Sequence, residues 1–404
     1  MEYRAALSAV APETLFMGSF PPRECGIATF TIDVVSSFDH AFGADSKVIA
    51  IDEPGGSERV YPANVVARLT QDDRASYRAA AAFVNASDAR LVNVQHEYGL
   101  FGGPEGSWFL DFLEELEKPS VITLHTVLPN PSDAHRAVAR RIAERADAIV
   151  VHSQTGKDIL NEDYGVDPAK IHVVHHGVPD VPFHTAQSTA AAKRAFGFGE
   201  RTIISTFGLL SRGKGLEYAI EAMREIVKQH PEALYLILGQ THPGVRRHEG
   251  ESYRESLVQL IAEYGLENNV RLIDKYLAFD ELLNYLSATD IYLTPYLNPV
   301  QIVSGTLAYA VGCGKAIVST PYLYAKELLA NGRGFLADFR DAASLAARVI
   351  ALLDDPWLRG ATERRAYRFG RQMTWPHVAQ EYGALFEAIA PVPRRAAAVL
   401  FLPA

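Results

Sequence analysis

Cysteine is scarce in this chain. There are two in 404 residues, Cys25 and Cys313, far apart and with no Cys-x-x-Cys pair. That excludes a disulfide framework and a cysteine-built zinc site. An excess of positive charge is lacking as well. Lys and Arg number 39 against 48 Asp and Glu, so the net charge is −9. A general nucleic-acid binder needs a basic face, and no nucleic-acid partner is expected. Long hydrophobic runs are missing, since no window approaches the ~18 apolar residues a membrane span requires. The Met1-Glu-Tyr-Arg start lacks the apolar core of a signal peptide. A cytoplasmic protein is the expectation. Peripheral membrane contact stays open, because basic patches can assemble from residues scattered in sequence. Apolar content of 48% and charged content of 22% are ordinary for a globular chain, and the length is that of two domains.

The pattern along the chain is α/β. Short, apolar, β-branched runs at 14–17, 47–51, 91–95, 121–124, 148–152 and 171–175 read as strands covered on both faces. Helical periodicity fills 26–41, 107–117, 131–146 and 154–161. Gly177-Val-Pro-Asp-Val-Pro-Phe183 breaks the series. A second series has strands at 202–207, 234–238, 270–273, 291–294, 316–319 and 334–337. Helices intervene at 215–230, 252–264, 278–288, 305–311 and 324–329, and helices close the chain from 341 to about 390. The segment 186–199 reads as a linker with a helix entering the second unit. Two doubly wound domains in tandem follow from this order.

Several strand ends carry chemistry. Phe207-Gly-Leu-Leu-Ser-Arg-Gly-Lys-Gly-Leu-Glu217 closes a strand and opens a helix. Gly208 lets the backbone approach a ligand, and Arg212 and Lys214 place positive charge where a diphosphate can sit. In Ser304-Gly305-Thr306 a helix opens after a strand, and such an N-terminus holds anions. Phe20-Pro-Pro-Arg23-Glu-Cys25-Gly26 is a polar loop entering a helix near Gly26. Gln95-His96-Glu97-Tyr-Gly follows a buried strand, where a sugar hydroxyl can be held. Glu97 suits a general base or a loop cap equally. His125 ends the next strand. His175 and His176 read as interdomain packing, because no carboxylate stands at metal-ligand spacing from them.

These motifs resemble those of the retaining GT-B glycosyltransferases of family GT4, along essentially the whole chain. Lys214-Gly215 matches the family's Gly-Arg-Leu-x-x-x-Lys-Gly loop in register, whereas Leu209 stands where the family has arginine, and Arg212 is the candidate substitute. Cys25-Gly26 stands for a Gly-Gly pair. His125 matches a histidine that touches the donor sugar. His175-His176-Gly177-Val178-Pro179 resembles an Asn-Gly-Val-Asp turn. Met373-Thr-Trp375-Pro-His-Val-Ala379-Gln-Glu-Tyr382 resembles the family ending, whose helix crosses back onto domain one. The main departure is the paired glutamates, Glu-x7-Glu, which become Gln301 and Tyr309. Gln301 can still bond a sugar, and Tyr309 can make one bond to ribose.

The resemblance implies two Rossmann-like domains facing a central cleft. The first spans residues 1–180 and is completed by a C-terminal helix at 376–404; the second, which binds the nucleotide sugar, spans 181–375. It implies transfer of a hexose of mannose or glucose type, with retention, from a GDP- or UDP-linked donor to a carbohydrate hydroxyl. His125, Arg212, Lys214 and Gln301 would be catalytic. Gly26, Gly208, Ser304, Gly305, Thr306 and Tyr309 would hold the donor, and His96, Glu97 and Arg23 the acceptor or sugar. No metal or cofactor is expected, and the chain shows no Asp-x-Asp site. A GT-B phosphorylase using inorganic phosphate, and a non-catalytic carbohydrate-binding protein, are the alternatives.

Overall fold

The computed structural model describes residues 11–55 and 59–391. Strands and helices alternate through two successive units. The first runs β1 (Thr14–Gly18), α1 (Gly26–Phe42), β2 (Lys47–Asp52), β3 (Val65–Thr70), α2 (Arg74–Ala86), β4 (Leu91–His96), α3 (Phe109–Glu115), β5 (Ser120–Leu124), α4 (Asp133–Arg145), β6 (Ala148–Val151), α5 (Gln154–Glu162) and β7 (Ile171–Val173). The second opens with α6 (Ala186–Ala195), β8 (Ile203–Phe207), α7 (Leu216–Gln229), β9 (Leu234–Leu238), α8 (Pro243–Glu249), α9 (Ser252–Glu263), β10 (Val270–Ile273) and α10 (Phe279–Ala288). It continues through β11 (Ile291–Thr294), α11 (Gly305–Gly312), β12 (Ala316–Ser319), α12 (Leu323–Leu328), β13 (Phe335–Leu336), α13 (Ala342–Asp354) and α14 (Pro356–Gly370). The helix α15 (Trp375–Ile389) follows.

The sheets are ordered β3-β2-β1-β4-β5-β6-β7 and β10-β9-β8-β11-β12-β13, with parallel pairing throughout. Central strands such as β1, β4, β8 and β9 are buried along their length, which accounts for their continuous apolar runs. Strand order reverses beside β1 in one sheet and beside β8 in the other. At such switch points neighbouring loops diverge to opposite faces and leave a crevice at the strands' carboxyl ends. The polar loops after β1, β4, β8 and β11 all leave from these crevices.

Three elements lie beyond those read from the sequence. β3 sits at the sheet edge and alternates between half-buried and exposed, unlike the doubly covered strands. α2 follows it with an alanine-rich buried stripe. α8 is a short helix opening at Pro243, with arginines in its last turn and no buried residue.

The last helix packs against the first domain. Trp375, Val378, Tyr382 and Phe386 of α15 share one buried cluster with Phe16, Phe30, Val34 and Phe38. The two chain crossings run side by side, where Val178 N donates to Met373 O at 2.8 Å and Trp375 N to Val178 O at 3.0 Å. The part of the expected closing helix at 392–404 lies outside the described residues. A second link is the Glu327 carboxylate at the end of α12. It accepts the Gln154 and Thr155 backbone N–H groups at 2.8 and 2.9 Å, and so caps α5 of the other domain.

Candidate active site

The second domain's side of the cleft is organised around the start of α11. Ser304 Oγ accepts the Leu307 N–H at 3.3 Å and caps the helix. The Gly305 and Thr306 N–H groups precede the first intrahelical bond, and the helix dipole adds positive potential there. Tyr296 OH lies 2.8 Å from Thr306 Oγ1, and Lys214 Nζ stands 3.9 Å above the Tyr296 ring. Lys214, Tyr296 and Thr306 thus tie the β8 loop to the helix start. Gly208 has φ 128, and a side chain there would come within 3.3 Å of Thr306 Cγ2. Only glycine suits that approach. Arg212 is directed elsewhere. Its side chain is 60% exposed and donates to Glu249 Oε2 of α8 at 3.1 Å. Arg212, expected as the second diphosphate cation beside Lys214, pairs with the α8 carboxylate and lies over the Tyr253 ring at 5.4 Å.

On the first domain's side, α1 starts at Gly26, with Cys25 Sγ accepting the Ala28 N–H at 3.3 Å. No atom lies within 4 Å of where a Gly26 side chain would begin, so this helix start opens on free space. Arg23 is braced on Glu53 at 3.7 Å and on the Ile51 carbonyl at 3.4 Å. Arg247 of α8 reaches the same Glu53 at 3.5 Å from across the cleft. Burial first, and then the nearby cations Lys214, Arg247 and Arg23, hold the His242 imidazole below its ordinary range. Arg23 and Arg247, one from each domain, thus meet on one carboxylate in a chain whose net charge is −9. Arg247 and His242 were missed in the sequence, because α8 carries no apolar stripe to announce it.

The domains meet over this space. Gln240 Nε2 donates to Glu24 Oε2 at 2.5 Å, and the Thr29 and Tyr276 hydroxyls lie 3.3 Å apart. Tyr309 OH of α11 donates to Asp33 Oδ2 of α1 at 3.0 Å. Burial lifts the Asp33 carboxyl from 3.8 to about 6, partly offset by that bond. The Tyr309 hydroxyl expected near a ribose is thus engaged by a carboxylate of the other domain. Asp33 was missed too, although Gly26, Phe30 and Asp33 share one face of α1, where a lone acid in an apolar stripe is the signal.

The remaining candidates divide. His125 lies under the cleft beside Phe30, at 4.8 Å between ring centroids, with 7% exposure. His176 faces Gly305, with Nε2 2.9 Å from where a side chain would begin, as interdomain packing requires. His96 does not reach the cleft. Its ring is fully buried against Phe101 and Phe109, both nitrogens are unpartnered, and burial drops it to about 3. It belongs to the first domain's core. Glu97 accepts the Thr126 hydroxyl at 2.6 Å, which favours loop bracing over base chemistry, while burial raises its carboxyl. Gln301 Nε2 donates to the Val303 carbonyl at 2.9 Å within its own loop. Among the described residues, no three His, Cys, Asp or Glu side chains gather where they could hold a metal ion. No helix among them is long and apolar enough to cross a membrane.

Two doubly wound parallel sheets with polar switch-point loops turned to a shared cleft make the GT-B fold. The comparisons with known proteins agree. Residues 26–180 match the model of Glycosyltransferase Family 4, and residues 189–372 match that of Glycosyl transferases group 1. The chain belongs to this family. It is 26% identical over 281 residues to a D-inositol 3-phosphate glycosyltransferase of Corynebacterium efficiens, covering 66% of this chain and 63% of that one. It is 28% identical over 317 residues to the protein of that name from Corynebacterium jeikeium, covering 74% and 73%. The chain spans 61–63% of the length of the first curated relatives it matches. Among solved structures, Anabaena HepE in complex with UDP and glucose superposes with a TM-score of 0.74 at 16% identity, over 93% of this chain and 100% of that one. The sucrose-phosphate synthase of Thermosynechococcus elongatus gives 0.73 at 17%, over 93% and 98%.

Proposed function

We propose that this chain transfers a hexose, of mannose or glucose type, from a nucleotide-diphosphate sugar to a hydroxyl of a carbohydrate acceptor, with retention at the anomeric carbon. The observation that carries the reading is the α11 start, tied through Tyr296 to Lys214, in a cleft where Arg23 and Arg247 of the two domains share Glu53. As the bond from the anomeric carbon to the phosphate oxygen breaks, negative charge grows on the departing diphosphate. Lys214, the Gly305 and Thr306 N–H groups and the helix dipole are fixed beforehand where that charge appears. The acceptor oxygen bonds the anomeric carbon, and its proton leaves with the diphosphate. These groups supply the charge a metal would otherwise bring, so activity should survive chelation. The relatives named as inositol phosphate glycosyltransferases support a polyol or sugar hydroxyl as acceptor.

A thermal-shift screen of UDP, GDP, ADP and inorganic phosphate tests the reading. A ligand at about 100 times its dissociation constant adds about 2.7 kcal/mol of stability. A shift with a nucleoside diphosphate is expected. A shift with phosphate alone would favour a phosphorylase instead.

A further inference from the structure

The polar groups beneath His125 form a buried relay with only one consistent assignment. Asn93 Nδ2 faces the Val121 carbonyl at 3.1 Å, and a carbonyl can only accept, so this end of the amide is the NH2. Asn93 Oδ1 then accepts from Gln95 Nε2 at 2.5 Å. That fixes Gln95 in turn, and its Oε1 lies 2.9 Å from His125 Nε2. A carboxamide oxygen carries no proton, so His125 must donate through Nε2–H. The neutral ring therefore has an unprotonated Nδ1. Asn93, Gln95 and Thr123 are all 0% exposed, and Thr123 Oγ1 is anchored 3.0 Å from Tyr382 OH of α15. His125 Nδ1 has no hydrogen-bond partner among the described residues, yet it is absent from the fully buried unpartnered atoms that include both His96 nitrogens.

We propose that Gln95 is a positioning residue that locks His125 in the Nε2–H tautomer, so that Nδ1 offers the cleft a lone pair that accepts from a hydroxyl of the transferred sugar. This rests on the glycosyltransferase reading for its ligand, but the tautomer itself does not. Burial, and the neighbouring His152, His176 and His96, hold the imidazole well below its ordinary range, so the lone pair persists through neutral pH. The relay explains why a strand that also buries Leu91, Val92, Val94 and His96 carries two buried amides. Asn93 Nδ2 also reaches Thr123 Oγ1 at 3.4 Å, so the relay continues through Tyr382 to the C-terminal helix, which thereby braces the site as well as the core.

The test reads the tautomer and the turnover separately. Nitrogen-15 NMR of the imidazoles, with His125→Gln for assignment, should show His125 with protonated Nε2 and bare Nδ1 in the ligand-free protein. Gln95→Leu should release that tautomer and lower kcat on the order of tenfold, with the nucleotide affinity unchanged. Gln95→Glu keeps an acceptor toward Nε2–H but adds a negative charge, which raises the imidazole's pKa. Its activity should fall on the acid side of neutrality, where the wild-type profile is flat on account of this group. A wild-type His125 with protonated Nδ1 would overturn the proposal, as would an unchanged kcat and pH profile in folded Gln95→Leu and Gln95→Glu. Should the tautomer be as stated while no nucleotide sugar is turned over, the glycosyltransferase reading fails, and with it the sugar as ligand.

Discussion

Lys214 and Arg212 sit two residues apart in sequence, yet the structure gives them different surroundings. Lys214 lies over the Tyr296 ring at the helix start, whereas Arg212 leans on Glu249 at the surface. Arg212→Ala should therefore weaken nucleotide binding less than Lys214→Ala. Glu249→Gln, which frees the guanidinium, should tighten binding by no more than about fivefold, since an exposed pair contributes at most about 1 kcal/mol. Titration calorimetry on the three variants checks this ranking. Asp33 supplies a pH-dependent prediction. Its folded pKa of about 6 lies above the ordinary 3.8, so its stabilising contribution is complete below 3.8 and is lost as pH rises through 6. Asp33→Asn keeps an acceptor for Tyr309 OH and removes the buried charge. The variant should gain on wild type as pH rises from 4 to 7, by at most about 3 kcal/mol. Melting temperatures across that range read the trend, and a constant difference would refute it.

Among the elements, α15 joins sequence, core and site. Phe386→Ala removes a fully buried ring from the cluster shared with Phe16 and Phe38. A loss of about 3–5 kcal/mol is expected, read by denaturant unfolding followed through the first domain. The central strands were legible from their continuous apolar runs, because burial on both faces imposes that pattern. β3 was not, because an edge strand is only half covered and its alternation is weak over six residues. α8 was hidden by its length and its charge. At the candidate site, the placement of Lys214, Ser304 and Gly26 at turns that open helices was legible, because local geometry alone sets it. Tyr309–Asp33, Arg212–Glu249 and the burial of His96 depend on which elements meet in three dimensions, and no local spacing encodes that.

At the scale of the whole molecule, hydrogen bonds and ion pairs among the described residues join the two domains along three lines. The side-by-side crossings at Val178 and Thr374 form one, and the Glu327 cap on α5 a second. The cleft contacts of Glu24, Thr29, Asp33 and Glu53 form the third. Glu327→Ala would leave the Gln154 and Thr155 N–H groups without their carboxylate. Small-angle X-ray scattering should then show a larger radius of gyration for the ligand-free variant than for wild type, and equal radii would show that the cap does not hold the domains together. The central claim is the proposal that the cleft binds a nucleoside diphosphate at the start of α11, with Lys214 over the neighbouring Tyr296 ring. Calorimetric titration of UDP and GDP into wild type and Lys214→Ala tests it most directly. One nucleotide should bind wild type at one site per chain, with the variant about ten- to a hundredfold weaker at an unchanged melting temperature. Binding of neither nucleotide to wild type, or equal affinity in the folded variant, would contradict it.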